Sequence, residues 1–331
     1  MLNDIVVDLV EPAIYLVLPQ HRFFWLYLGS AVGIALVVCY LRQSAGEGRS
    51  VLGAIRAVFP RRIFRHPSAL LDYRYVLVNH LLHAVVLGAL IANTAVMTGG
   101  CLAFLRFALG EESLNATPGP VASVVFTICM LLAVDGGLFL AHWLQHKIPT
   151  LWEFHKVHHS AEVLTPITVL RMHPVDIVLN ALTQASLLGI ANAVFLYLYR
   201  DPVAEVTVIG ANALSFLFYL GGYHLRHSHV WILFPRGIRD HISSPALHHI
   251  HHSKNPEHFD KNFARIFTFW DRLAGTLYIP EGKEELEFGL EEKDQKQLRT
   301  VWQLYMTPFR NVLARLRRRS WRPYRRSSSA A

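Results

Sequence analysis

Residues 121–159 read "VASVVFTICMLLAVDGGLFLAHWLQHKIPTLWEFHKVHH". The segment 121–141 is almost wholly apolar. An α-helix rises 1.5 Å per residue, so a run of that length matches ~30 Å of hydrocarbon. The character then changes within one residue, with histidines at 142, 146, 155, 158 and 159. His142 and His146 are four apart and project from one helical face, while His155, His158 and His159 stand at i, i+3 and i+4 on one stripe. A membrane-length helix therefore opens directly onto a concentration of imidazole. The prediction is an all-α, membrane-embedded chain with a histidine-rich site at the mouth of a span.

Moving outward, the i, i+3, i+4 spacing returns in "HHIHH" (248–252) as His248, His251 and His252. Between the two triplets lie His173, in "RMHPVD", and His224, His227 and His229, in "YHLRHSH". Of 19 histidines, 15 fall between His142 and His258. The remaining four, His21, His66, His80 and His83, read as ordinary hydrogen-bonding side chains. Eight clustered imidazoles would repel if protonated, whereas on a metal they are neutral ligands that share the cation's charge. One structural zinc takes about four ligands, so eight or more histidines imply two ions. Imidazole suits zinc, copper, iron and nickel alike, so donor type alone does not choose. No HExxH, EExxH or cysteine-pair motif occurs.

The 331-residue chain is 52% hydrophobic and 17% charged with mean hydropathy +0.28, which favours the membrane class. Five segments are long and apolar enough to be candidate spans: 23–41, 76–98, 121–141, 177–199 and 203–222. The last two are separated only by "RDP" and are expected to form a tight helical hairpin that re-enters one leaflet or crosses twice. Loop 42–75 carries Arg42, Arg49, Arg56, Arg61, Arg62, Arg65 and Arg74, against Arg106, Glu111 and Glu112 in 99–120. The positive-inside bias puts the first loop in the cytoplasm and delivers His142 to the cytoplasmic face. Every histidine cluster and the tail "RLRRRSWRPYRR" then share that face, giving a multi-pass protein with its site and C-terminus cytoplasmic. The net charge of +8 sits mostly in these flanks, so nucleic acid is not an expected partner.

Three scattered cysteines give neither a disulfide framework nor a thiolate site. The start "MLNDIVVDLVEP" has no basic stretch, so a cleaved signal peptide is not expected. "NAT" (115–117) matches a glycosylation acceptor, though such tripeptides are common by chance and Pro118 follows. The end "RRSSSAA" reads as disordered.

Two stretches, "DGGLFLAHWLQHKIPTLWEFHKVHHSAEVLTPITVLRMHPVD" (135–176) and "SPALHHIHHSKNPEHFDKNFARIFTFWDRLAGTLYIP" (244–280), carry a resemblance. Their HxxxH, HxxHH and HxxHH boxes and the flanking "LWEFHKVHHS" and "WDRLAGT" resemble the fatty acid hydroxylase and sterol desaturase superfamily of integral-membrane di-iron oxygenases. The similarity covers roughly residues 120–280. It implies a four-helix membrane anchor under a cytosolic cap, with two non-haem irons held by histidines. Carried over by position, His142 and His146 match the first box, His155, His158 and His159 the second, and His248, His251 and His252 the third. The resemblance adds His173 and His227 as ligands and leaves His224, His229 and His249 unassigned. No catalytic residue beyond the ligands is expected. Trp143, His229 and Ala274 depart from the residues common in the family, which bears on substrate and tuning rather than on metal binding. The implied organisation is 1–120, membrane helices and a basic cytoplasmic loop; 121–280, the catalytic domain; and 281–331, a basic tail.

By the same resemblance, the irons use O2 as co-substrate and external electrons to hydroxylate or desaturate a long-chain lipid, whether sterol, fatty acid or a related lipid. No haem-binding, flavin or ferredoxin-type motif occurs, so a separate donor is required, either a ferredoxin or a cytochrome b5 system. Lys147, Lys156, Arg236, Arg239 and the tail are candidate docking residues, and the basic segment 301–319 is expected to lie on the membrane surface. Two rival classes fit the sequence less well. A histidine-rich metal or proton transporter should place ionisable groups along facing spans, whereas here they gather at the ends, apart from His80, His83 and Asp135. A bis-histidine haem carrier needs one histidine on each of two helices, not triplets.

Overall fold

A computed structural model describes residues 15–44, 48–111, 116–199 and 201–317, without the side chains of 80–92. The expectations for the N-terminal start, Asn115, the end of the tail, and His80 and His83 lie outside the described residues. The structure is mostly helical. Its principal helices are α1 (Trp25–Leu41), α2 (Pro67–Leu109), α3 (Pro120–Lys147), α4 (Pro149–His159), α5 (Pro174–Leu198), α6 (Ala213–Leu220), α7 (Pro245–His252) and α8 (Val301–Arg317). Among the described residues, α3 and α5 are long and apolar enough to cross a membrane, and α1 and the 93–109 part of α2 are shorter apolar helices.

The chain divides into two compact units. The first gathers residues 1–31, 83–140 and 178–223. Its cores are apolar: Ala122, Phe126, Met130, Phe195 and Val203 form one, and Phe24, Tyr27, Ala211 and Phe216 another. Glycines let backbones approach. A Cβ on Gly137 would lie 2.7 Å from Gln184 Cα, and one on Gly189 2.6 Å from Met97 Cβ. Small residues at such crossings are how helices pack where apolar burial drives little association.

Residues 203–222 depart from the single helix expected of them. They form a hairpin of β1 (Thr207–Val208) and β2 (Ala211–Asn212), followed by the eight-residue α6. The turn residues Ile209 and Gly210 have φ of 46° and 83°, and the β-branched run Val206–Ile209 favours extended backbone. Thr127 Oγ1 in α3 accepts from Val206 N at 2.7 Å, and Asn212 caps α6 by accepting from Leu214 N and Ser215 N. A helix of that length spans ~12 Å and cannot cross a bilayer by itself.

The second unit gathers 32–82, 141–177 and 224–331 and is tied together by polar groups. Arg171, 1% exposed, donates from Nη1 to Asp72 Oδ1 at 2.8 Å and from Nη2 to Ser160 Oγ at 2.7 Å, while its Nε reaches Val157 O. Asp72 also accepts from Thr168 Oγ1 at 2.8 Å. One guanidinium thus joins α2, the end of α4 and the "RMHP" segment. Tyr75 and Asn79 of α2 both donate to Met172 O. Helix α8 lies on α4: Asn311 and Arg315 bond Glu153, and Phe309 packs on Phe154. Lys156 is withdrawn from the surface, buried between Glu153 and Asp294, so it does not present a docking charge.

Candidate metal centre

All three histidine boxes are helical. His142 and His146 occupy the last turns of α3; Ile148 is extended, and Pro149 then starts α4, which ends on His158 and His159. Proline at the first helical position is tolerated because its missing N–H has no helical partner there. Pro245 opens α7 in the same way, and α7 ends on His251 and His252. His227 closes a 3-10 turn, Tyr223–His227.

These helices sort the imidazoles into two groups. His142, His146, His155, His159 and His251 form one, and His158, His227, His248 and His252 the other, with ligand atoms within 4.8 Å of one another in each. In both triplets the i and i+4 histidines share a group and the i+3 histidine goes to the other. His155 and His159 stay with the α3 pair while His158 leaves; His248 and His252 stay together while His251 leaves. Positions i and i+4 are ~40° apart on a helix, whereas i+3 and i+4 are ~100° apart.

The spacing within each group is that of converging ring nitrogens. His227 Nε2 lies 3.2, 3.0 and 3.2 Å from Nε2 of His158, His248 and His252. His159 Nε2 lies 3.1 Å from Nε2 of both His146 and His251. A single ring N–H serves one such approach, not three. Metal–nitrogen bonds of ~2.1 Å at right angles place ligand nitrogens ~3 Å apart, so a cation satisfies all of them together.

The outward nitrogens fit as well. His142 Nδ1 faces Phe263 O at 2.9 Å, His251 Nδ1 faces Lys261 O at 2.8 Å, and His158 Nδ1 faces Arg171 O at 3.3 Å. His146 Nδ1 lies 3.4 Å from Asp260 Oδ1, and His155 Nδ1 lies 3.5 Å from Asp176 Oδ2. The carbonyl acceptors favour the hydrogen on Nδ1 of His142, His251 and His158 and so turn Nε2 of these rings towards ligation, while the two carboxyl groups stand at ion-pair range. One short strip, 260–265, supplies much of this. Its Ala264 and Arg265 carbonyls also hold Arg226, whose Nη2 meets His248 Nδ1 at 3.1 Å. Asp271, in the quoted "WDRLAGT", pins the strip by accepting from Phe263 N and Ala264 N, both at 2.8 Å.

Burial, and after it the neighbouring imidazoles, hold His159, His251 and His252 well below the ordinary histidine range. Burial likewise lowers His158 and His248. Neutral imidazole is the form that binds metal, so the donor set suits a metal centre at neutral pH. A cavity of about 330 Å³, lined by Trp152, Phe259 and Lys254 among others, reaches His159 and His252, one imidazole of each group.

Nine of the ten histidines expected from the sequence converge in this way. The tenth, His173, lies elsewhere: its Nδ1 accepts from Val175 N at 3.1 Å and its Nε2 faces Tyr305 O at 3.2 Å. His249 faces Leu225 O and His229 faces Ala57 O, each outside both groups. Asp176, Asp260 and Arg226 were not singled out from the sequence. Backbone carbonyls carry no sequence signal, although Asp271 stood within the quoted family text.

Comparison with known proteins agrees with this geometry. The fatty acid hydroxylase family model matches residues 127–276. The chain is 32% identical over 168 residues to an ornithine lipid hydroxylase of Rhizobium tropici, covering 50% of this chain and 46% of that protein. It is 29% identical to an alkylglycerol monooxygenase of Danio rerio, covering 48% of this chain and 31% of the relative. A Delta(7)-sterol 5(6)-desaturase of Gibberella zeae is 28% identical, with 46% and 37% covered. The chain thus spans less than half the length of each of these relatives. No solved structure matches. Residues 127–276, which hold the three histidine boxes, are thus similar to the fatty acid hydroxylase family and to lipid hydroxylases and sterol desaturases.

Proposed function

We propose that the chain is a membrane-bound di-iron oxygenase that uses O2 and external electrons to hydroxylate or desaturate a long-chain lipid. The observation that carries this is the division of nine imidazoles, seven of them on buried residues, into two convergent groups. When bound, two non-haem irons supply the activation of O2 needed to attack an unactivated C–H bond. The chain's own residues do the rest. The nine histidines hold the ions, the carbonyls of Lys261, Phe263 and Arg171 fix ring orientation, and His173 positions α8 through Tyr305. Residues 121–280 constitute the catalytic region, between N-terminal membrane helices (1–120) and a basic tail (281–331).

In this proposal α1, α2, α3 and α5 form the membrane anchor, and 203–223 brings the chain back to the face bearing His224. Support comes from the gathering of 141–177 and 224–331 into one compact unit and from the arginines of 42–75 on the same unit. That face is cytoplasmic, and a ferredoxin or a cytochrome b5 system meets it there. Relatives named for ornithine lipid, alkylglycerol and sterol point to a substrate with a long apolar body.

The test has two parts. Protein purified in detergent should hold about two non-haem irons per chain and show no Soret band. Cells with and without the gene should differ in one hydroxylated or desaturated lipid. A haem spectrum, or iron-free protein that moves metal across vesicles, would replace this proposal with one of the two rivals.

A further inference from the structure

The two imidazole groups are backed by side chains of opposite kind. Behind the five-imidazole group stand carboxyl groups, with Asp260 at His146 Nδ1 (3.4 Å) and Asp176 at His155 Nδ1 (3.5 Å). Asp260 is shared with Lys147 at 2.9 Å, whereas Asp176 is 1% exposed and burial raises its carboxyl well above the usual carboxylate range. Behind the four-imidazole group stands a cation. Arg226, 5% exposed, is clamped by Arg265 O at 2.6 Å and Ala264 O at 3.0 Å, with Nη2 against His248 Nδ1 at 3.1 Å.

Two consequences follow from elementary chemistry. A carboxylate behind a ligand raises its basicity and offsets the charge of a bound cation; a guanidinium does the reverse. Guanidinium nitrogens are donors only. The Arg226 contact therefore directs the hydrogen of neutral His248 onto Nε2, the nitrogen that converges with His227 and His252. The carbonyls facing His142 and His251 direct it the other way.

Building on the di-iron proposal above, we infer that Arg226 and Asp260 are positioning residues that make the two metal sites unequal, the four-imidazole site being the weaker and more easily reduced. Iron then enters the five-imidazole site first and leaves the four-imidazole site first. Arg226 sets the order because the strip that clamps it, 260–265, is the same strip that carries Asp260 and the carbonyls behind His142 and His251. A single element thus presents opposite charge to the two groups.

The experiment uses the full chain in detergent, loaded with ferrous iron and challenged with EDTA while iron loss is followed. Two phases of equal amplitude are expected, separated ~10- to 100-fold in rate, the range by which such outer partners change metal affinity. The fast phase should be absent in His252→Ala. Arg226→Gln should slow the fast phase towards the slow one, whereas Arg226→Lys should keep the phases apart. Asp260→Asn, at a half-exposed position, should speed the slow phase alone and decides the matter if Arg226→Gln fails to fold. A redox titration should give two midpoint potentials in the wild type that draw together in Arg226→Gln. Two equivalents lost in one phase would overturn the inference while leaving the di-iron proposal standing. An unchanged slow phase in Asp260→Asn would do the same. A chain that never binds a second equivalent would bring down the di-iron proposal itself.

Discussion

The two units are held together by different chemistry. Residues 83–140 and 178–223 meet through aromatic and aliphatic side chains and through glycines that admit a neighbouring backbone. Residues 141–177 and 224–317 meet through buried imidazole, guanidinium and carboxylate, held partly by one another and partly by backbone carbonyls. Apolar contact is non-directional and tolerates small adjustment, whereas buried polar groups cost several kcal/mol each when a partner is lost. The first unit should therefore absorb substitution gradually and the second should fail at single positions.

The sharpest break should come from the imidazoles. His158→Ala and His251→Ala strike different groups, so each should remove about one iron and abolish lipid oxidation, read by metal analysis and product formation. His21→Ala, in the first unit, should keep both irons and full turnover; a similar loss there would erase the contrast. Next in size is the Arg171–Asp72 pair. Arg171→Met should destabilise the fold by about 3–5 kcal/mol in denaturant titrations, because it strands a buried carboxylate. Adding Asp72→Leu to Arg171→Met should restore much of the loss.

Acid should separate the units too. In metal-free protein, burial pushes His249 down to about 4 from 6.5. Its contribution is whole above pH 6.5, where folded and unfolded forms are both neutral. It is lost as pH falls towards 4, because the unfolded chain takes up a proton that the folded one refuses, at about 1.4 kcal/mol per pH unit. Hydrogen exchange should show amides of 224–317 losing protection in that window while those of 93–109 keep theirs. The smallest effect is expected at the glycines: Gly189→Val should cost about 1–3 kcal/mol by overpacking and leave iron content unchanged.

How much of this was legible in the sequence depended on whether the signal was periodic. The triplets at 155–159 and 248–252 announce themselves because helical spacing repeats, and α3 and α5 because hydropathy does. The parting of each triplet between two groups was not legible, since it depends on which helices face each other across the site. Nor were the Phe263 and Lys261 carbonyls, which every residue possesses. Residues 203–222 misled because apolar composition is common to a span and to a hairpin joined to a short helix; Ile209 and Gly210, both with positive φ, decided between them. Lys156 misled because a lone basic residue in a helix is read as exposed, while Glu153 and Asp294 had already enclosed it.

The exchange of His158 against His251 carries one more implication. Adjacent residues on α4, His158 and His159, serve different groups, as do His251 and His252 on α7. The offset between the two imidazole groups is consequently gauged twice over by the angular step of a rigid rod, not by a loop free to breathe. Neither group can shift towards the other unless a helix unwinds, so the separation at which the chain offers its two sets of donors is cut to one length from the moment it folds.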